Sequence, residues 1–167
     1  ATSSLAGWEE FSEMFGTGPE GNTRVWTTLR GLLDSGLIEN NGSDVVYILP
    51  NHTETVNAAA QLATGASANG LSIIGLGNAD ERPLFTFQTA TGASFTFASN
   101  GVLVENLRFD LTGVDALTGP ISVSNSGVTF KNCEFEHADT GGQAVVAIVT
   151  TAAASRFKLD SCKFLGS

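Results

Sequence analysis

Four segments of this chain align with one another without gaps, and this internal repeat restricts the fold more than any other feature of the sequence. The segments begin at Asn69, Asn100, Ser126 and Ser155, about 26 to 31 residues apart. Periods of roughly 20 to 50 residues are typical of solenoids and propellers. A propeller blade needs about 40 to 45 residues and four strands, so the shorter period favours a solenoid.

Each repeat contains two short runs of alternating apolar and polar residues around one small turn residue. In the third repeat Val128 and Phe130 precede Asn132, and Cys133 and Phe135 follow it. The corresponding residues are Leu71, Ile73, Gly75 and Leu76 in the first repeat, Val102, Val104, Asn106, Leu107 and Phe109 in the second, and Phe157, Leu159, Ser161, Cys162 and Phe164 in the fourth. Because the side chains of a strand alternate between its two faces, the apolar residues are predicted to point inward together.

The rest of each repeat supplies another strand. Strand-like runs lie at residues 85–87, 95–97, 121–123 and 145–149. Two or three short strands in each repeat are the content of one coil of a β-helix. The sequence therefore predicts an all-β fold, a single-stranded right-handed parallel β-helix of about four or five coils.

The outward positions support the same register. In three successive repeats the sixth position reads Glu105, Lys131 and Asp160, and the ninth reads Arg108, Glu134 and Lys163. Equivalent residues of adjacent coils lie about 4.8 Å apart, where opposite charges attract and like charges repel. Stacked coils therefore explain why both columns alternate in sign.

The first 50 residues do not belong to the repeat. Residues 1–22 are polar and include an aromatic and acidic stretch in which Trp8, Phe11 and Phe15 share one face of a predicted helix. A second helix is predicted over residues 24–35. Its apolar residues follow helical spacing, Thr23 is the predicted N-cap and Gly36 the predicted stop signal. The apolar residues are Val25, Trp26, Leu29, Leu32 and Leu33.

The residues that follow the predicted helix lead into the solenoid. Residues 45–49 are a predicted strand that ends at Pro50. These patterns divide the chain into an arm, residues 1–22, and a β-helix domain, residues 23–167.

Charge and composition exclude several classes of function. The net charge of −9 argues against binding to nucleic acid or to an anionic membrane surface, because both require clustered cations. No apolar run approaches the roughly 18 residues of a membrane span, and the N-terminus lacks the pattern of a secretory signal. Two cysteines do not make a disulfide framework. No cofactor or metal is expected.

The repeat resembles the pectin-lyase-like right-handed β-helix superfamily, and residues 44–164 are similar to the β-helix proteins of tailed bacteriophages. The likeness is carried by the strand and turn at residues 45–56, by Leu71–Asn78 and by Arg82–Phe87. The resemblance implies that the helix at residues 24–35 closes the N-terminal end of the solenoid. Relatives of this kind are tailspikes, fibres, polysaccharide lyases and hydrolases, or capsid decoration proteins, so the fold leaves the function open.

Asp110 and Glu136 share an outward position on adjacent coils and are the one like-charged pair in register. Stacked carboxylates can act as a general acid and base or bind a hard cation. The gapless alignment places Ala79 and Leu165 beside them, so the acidic cluster is expected to end at two residues. We therefore expect no catalysis.

Other motifs are weaker. The acids of residues 134–139 surround His137, but no second His or Cys stands at metal-ligand spacing. His52 is expected to be a hydrogen-bonded turn residue beside Glu54. Gly16-x-Gly18-x-x-Gly21 matches a dinucleotide fingerprint but follows no strand. Asn106 and Asn132 are expected to stack in successive turns.

Two buried free thiols are expected at Cys133 and Cys162. These residues share one inward position on adjacent coils, where parallel side chains disfavour the disulfide torsion. Assembly inside a cell would also keep both thiols reduced.

The chain stops at Ser167 midway through a coil, and the sequence offers no second cap, so we expect either that the chain is cut from a longer one or that an external partner covers this end. Together with the resemblance, this favours a virion structural protein assembled in the host cytoplasm: a homotrimeric capsid decoration (cement) protein whose arm grips the major capsid protein. The expected partner-binding residues are Trp8, Phe11 and Phe15, with Leu103 as the one clearly apolar residue at an outward strand position. The alternatives are a tail fibre or tailspike fragment that binds host glycans, and a carbohydrate-active lyase or hydrolase.

Overall fold

A computed structural model describes residues 25–38, 44–113, 115–138 and 144–166, and in these residues the chain forms a single-stranded parallel β-helix. Three parallel sheets run along the helix axis. The first sheet contains β1 (Val45–Ile48), β4 (Ser72–Gly75), β7 (Leu103–Glu105), β10 (Thr129–Lys131) and β13 (Lys158–Asp160). The second contains β2 (Thr53–Val56), β5 (Leu84–Gln88), β8 (Arg108–Gly113), β11 (Glu134–His137) and β14 (Lys163–Gly166). The third contains β3 (Leu62–Thr64), β6 (Phe95–Phe97), β9 (Ile121–Val123) and β12 (Ile148–Thr150).

The sheets define four complete coils and part of a fifth, as the repeat predicted. The first coil, β1 to β3, lies before the first recognised repeat. In the first sheet Ile73, Val104, Phe130 and Leu159 are in register. The repeat therefore sets one coil of the solenoid.

The seventh position of the repeat is the turn between the first two sheets. Asn106, Asn132 and Ser161 have φ values of 61°, 52° and 55°, a left-handed conformation that Asn tolerates better than most residues. The Asn106 amide donates to the carbonyl oxygens of Gly75 and Gly77 and accepts a 2.9 Å hydrogen bond from the Asn132 amide. The predicted stacking of the two asparagines is confirmed.

Aromatic side chains fill much of the core. Phe109 and Phe135 stack with ring centroids 5.0 Å apart, and Phe135 and Phe164 with centroids 4.9 Å apart. The largest fully buried side chains are Phe85, Phe87, Phe95, Phe97, Phe109, Phe130, Phe135, Leu62, Leu71, Ile73, Leu107 and Leu111. The inward register predicted for the second and third repeats is confirmed.

The first repeat departs from the gapless alignment. After β4 the chain inserts a short 3-10 helix, Ala79–Glu81, so Leu84 pairs with Arg108 and Thr86 pairs with Asp110. Leu76, predicted to point inward, is 36% exposed, while Pro83 is buried. The prediction that Ala79 neighbours Asp110 is therefore wrong, because the insertion moves the strand that follows.

The helix before the solenoid, α1 (Leu29–Asp34), is shorter than the predicted residues 24–35. Thr28 has extended dihedral angles and its hydroxyl accepts a 3.0 Å hydrogen bond from the Gly31 N–H, so Thr28 rather than Thr23 is the N-cap. Leu29 is buried in the solenoid core and Leu33 packs against it, so the helix covers this end. The arm at residues 1–22 and Thr23 lie outside the described residues.

Candidate functional site

Four apolar residues point outward from the first three coils of the first sheet. Tyr47 is 61% exposed and Val45 48% exposed on β1, while Ile74 on β4 and Leu103 on β7 are partly exposed. Tyr47 is in register with Ile74, and Ser72 with Leu103, so neighbouring coils bring the four side chains onto one surface. We call this surface, formed by Val45, Tyr47, Ile74 and Leu103, the apolar face. Exposed apolar residues gathered on one surface are typical of interaction sites.

The same sheet becomes charged toward the last coil. Lys131 Nζ donates a hydrogen bond to the Glu105 carboxylate, with an N–O distance of 2.8 Å. Lys158 Nζ donates in the same way to the Asp160 carboxylate at 2.9 Å. The hydrogen bond with Glu105 raises the pKa of Lys131, and the hydrogen bond from Lys158 lowers the pKa of Asp160. The apolar face is thus bounded on one side by paired charges.

A second cluster lies on the outer surface of the second sheet. The Glu134 carboxylate accepts a 2.9 Å hydrogen bond at Oε2 from Arg82 Nη2, and its Oε1 lies 3.4 Å from Arg108 Nε. Arg82 comes from the loop after the 3-10 helix, and its side chain is only 12% exposed. Because Glu134 lies on β11, the contact between the two side chains connects the second coil to the fourth. Arg108 also approaches Asp80 at 3.7 Å. These contacts confirm that Arg108 and Glu134 are adjacent in the ninth column, and Arg82 is the member that the sequence did not predict.

The Asp110 and Glu136 pair is in register, as predicted. Asp110 Oδ1 accepts hydrogen bonds from the Thr112 N–H at 2.9 Å and from the Thr112 hydroxyl at 2.7 Å. Its neighbours along the column are Thr86 and, beyond Glu136, Leu165. One carboxylate of the pair is therefore engaged in a local turn within its own strand.

His52 is a hydrogen-bonded turn residue, as predicted, but its partner has an unpredicted role. Its Nε2 lies 3.3 Å from the Glu54 carboxylate, which also accepts from the Leu29 and Arg30 N–H groups. Glu54 is 8% exposed. Burial by itself would raise its pKa, but the hydrogen bonds from His52, Arg30 and Leu29 outweigh burial and lower it.

Cys133 and Cys162 are both free, as predicted. Cys133 is buried, but Cys162 is partly exposed, so the prediction that both thiols are buried is wrong for Cys162. The Cys133 thiol lies 3.4 Å from the Lys131 carbonyl oxygen, and the Cys162 thiol lies 3.4 Å from the Phe130 carbonyl oxygen. Contact with Cys162, together with burial, raises the pKa of Cys133. Cys133 is therefore held as a protonated thiol.

The inward side chains of the last described coil are exposed. Phe164 is 49% exposed and Leu159 40% exposed, although Phe130 and Phe135 in the preceding coil are buried. Among the described strands, β12, β13 and β14 each have a strand neighbour on one side. We call the surface formed by Phe157, Leu159, Cys162 and Phe164 the C-terminal end.

Of the predicted partner-binding residues, Leu103 lies in the apolar face, whereas Trp8, Phe11 and Phe15 lie outside the described residues. The expectation that Leu103 is the one apolar residue at an outward strand position is wrong, since Ile74, Val45 and Tyr47 join it. Ile74 occupies the outward sixth position of the first repeat, so the sequence carried that signal.

The fold defines this chain as a parallel β-helix, or β-solenoid. No protein-family model matches the chain, and it has no match among curated proteins or solved structures. No group of three or more His, Cys, Asp or Glu side chains in the described ranges is arranged to hold a metal ion. None of the helices in those ranges has the length and apolar character that a membrane crossing requires.

Proposed function

We propose that this chain is a structural, partner-binding protein of a bacteriophage virion, specifically a homotrimeric capsid decoration (cement) protein. The observation that carries the proposal is the apolar face on the outside of a stacked β-sheet. Exposure of Tyr47 and Val45 to water is unfavourable, and a partner surface that covers them would remove this cost.

The apolar face lies on hydrogen-bonded strands above a packed core, and this rigid base suits a permanent contact. Each of its strands is hydrogen-bonded to neighbouring coils over a packed aromatic core, so little conformational entropy is lost when a partner binds. Tyr47 offers a large, rigid side chain of the kind that carries much of the energy of an interface. A preformed face of this kind suits reinforcement of a shell assembled from many copies.

The test uses virus particles stripped of this protein and the purified 167-residue chain. We expect the wild-type chain to be a trimer by light scattering and to sediment with the particles. Replacing Tyr47 and Leu103 together with Ser should weaken attachment by about a hundredfold or more while the chain stays folded. The matched control, Asp110→Asn with Glu136→Gln, should attach normally.

Two outcomes decide against the proposal. Unchanged attachment of the Tyr47→Ser, Leu103→Ser variant would show that the apolar face is not the contact. Loss of a measurable polysaccharide-cleaving activity in the control variant would favour a carbohydrate-active enzyme, because Asp110 and Glu136 would then have a chemical role.

Glycan binding by a tail fibre or tailspike is the second candidate, and outward-facing Tyr47 favours it. Exposed aromatic rings provide flat apolar surface for the faces of sugar rings. If this candidate is correct, the purified chain should bind host surface polysaccharide, and Tyr47→Ser alone should abolish that binding. The cement proposal expects no binding to polysaccharide.

A further inference from the structure

Strand β1 has one hydrogen-bonding edge that is not paired with another described strand, since β4 is its only neighbour among them. On the β4 side, the Ser72 N–H donates a 2.8 Å hydrogen bond to the carbonyl oxygen of Asp44. Alternate residues of a strand direct their backbone groups to opposite sides, so the N–H and C=O groups of Val45 and Tyr47 point away from β4. These two residues therefore present two donors and two acceptors at the open edge of β1.

Strand β1 lacks the features within a strand that usually protect an edge. Charged residues, proline and bulges commonly prevent an edge strand from pairing with another chain. The residues of β1 are Val-Val-Tyr-Ile, and they pair with β4 without a shift in register. At the same end of the solenoid, β3 packs against α1, and Glu54 of β2 accepts hydrogen bonds from α1. No hydrogen bond joins α1 to β1 within the described ranges, so the edge of β1 is available for pairing.

The outer surface of the first sheet becomes more apolar toward this edge. From coil to coil, one outward column contains Tyr47, Ile74, Glu105 and Lys131. A strand added beside β1 lies about 4.8 Å away, and its outward side chains continue the apolar face. We propose that an extended segment of the shell protein, apolar at alternate positions, binds to the open edge of β1 by strand addition. This inference rests on the proposed function and states how the shell holds the protein.

The chemistry of the edge selects its occupant. The backbone groups of Val45 and Tyr47 repeat at about 6.6 Å, the two-residue repeat of a strand, so another extended backbone matches them. Two copies that met through the same edge would be related by a two-fold axis and would close as a dimer, whereas the proposed assembly is a trimer. The edge is also continuous with the apolar face, because Val45 and Tyr47 belong to both. The segment is therefore assigned to the shell and not to a second copy.

The experiment removes one N–H from the open edge and keeps the hydrogen bonds to β4. Val45→Pro does this, because proline is tolerated at the first residue of an edge strand. Val45→Ala shortens the side chain and keeps the N–H. We expect Val45→Pro to weaken attachment to stripped particles at least about tenfold more than Val45→Ala does, measured by cosedimentation of the full chain. The matched control is Thr53→Pro, at the first residue of β2, which should attach like the wild-type chain.

Amide hydrogen exchange of the wild-type chain gives a second readout that needs no variant. In the free chain the Val45 and Tyr47 amides should exchange rapidly, while the Val46 and Ile48 amides, which face β4, are protected. Attachment to stripped particles should slow exchange at Val45 and Tyr47 at least about tenfold, because both N–H groups then donate to the added strand. If Val45→Pro does not fold, this measurement decides alone.

The outcomes separate strand addition from the proposed function. Equal attachment of Val45→Pro and Val45→Ala, an equal loss in Thr53→Pro, or unchanged exchange at Val45 and Tyr47 on the particles would overturn strand addition and leave the cement proposal standing. Protection of these two amides that rises with the concentration of the free chain would also overturn it, because a second copy would then occupy the edge. A wild-type chain that does not attach to particles would reject the cement proposal and the shell segment together.

Discussion

The carboxylate of Glu54 accepts a 2.8 Å hydrogen bond from the backbone N–H of Leu29, 25 residues earlier in the chain. Glu54 is in register with Phe85, so it occupies the inward column that phenylalanines fill in the later coils. The first N–H groups of a helix have no partner within the helix, and a buried carboxylate satisfies them. An acid thus replaces an aromatic ring where the solenoid meets α1.

Glu54 should make the stability of the fold sensitive to acid. Since its pKa is lowered in the folded state, its contribution is complete above the ordinary Glu value of about 4.3 and is lost as pH falls through the folded value. Glu54→Gln should lower the free energy of unfolding by about 1.5–3 kcal/mol at pH 7. The variant should then lose less stability than the wild-type protein when the pH falls below about 4. Urea unfolding across pH measures both effects. The control Glu81→Gln, on an exposed site, should change neither, and equal acid sensitivity in all three proteins would refute the role of Glu54.

The aromatic stack predicts a difference between two equivalent phenylalanines. Phe135→Ala should cost about 3–5 kcal/mol, because Phe135 is 1% exposed between Phe109 and Phe164. Phe164→Ala should cost clearly less in the isolated chain, since that ring is half exposed. Chemical denaturation compares the two variants. A cost below about 1 kcal/mol for Phe135→Ala would mean that the core is packed differently.

Arg82 should hold two nonadjacent coils together. Arg82→Gln removes its short contact with Glu134 from a nearly buried site and should cost about 1–3 kcal/mol. Arg30→Ala, which breaks the exposed pair with Asp34, should cost less than about 0.5 kcal/mol. A double-mutant cycle with Glu134→Gln measures the coupling directly. A coupling energy near zero would show that the contact is incidental.

The two cysteines should react at different rates. In the native protein Cys162 should be alkylated first, because it is partly exposed while Cys133 is buried and its pKa is raised. After denaturation without reductant, mass spectrometry should find two adducts. One adduct or none at that stage would show that the thiols had formed a disulfide.

Deletion of residues 1–16 should leave the melting temperature almost unchanged, because α1 already covers the N-terminal end of the core. Attachment to particles should be lost, since the deletion removes Trp8, Phe11 and Phe15. Calorimetry and cosedimentation measure the two effects. A deletion variant that fails to fold would place the arm in the core.

The sequence alone was enough to predict the structure of one coil of the solenoid. The inward register of Val104 and Phe130, the turn at Asn106 and Asn132, and the alternating charges of the ninth column all follow from patterns that repeat from coil to coil. Such patterns can be recognised in the sequence because each is local and recurs at the same position in adjacent coils, and the inward apolar residues also alternate with a period of two along each strand.

Only the tertiary structure decided the features that occur once. The 3-10 insertion after β4 moved Thr86 beside Asp110, the N-cap fell at Thr28, and Glu54 met α1 across 25 residues. The apolar face likewise joins Tyr47, from a coil before the recognised repeats, to Leu103 two coils later. None of these contacts recurs in another repeat, so no pattern in the sequence could reveal it. Each contact depends on how the coils stack in space.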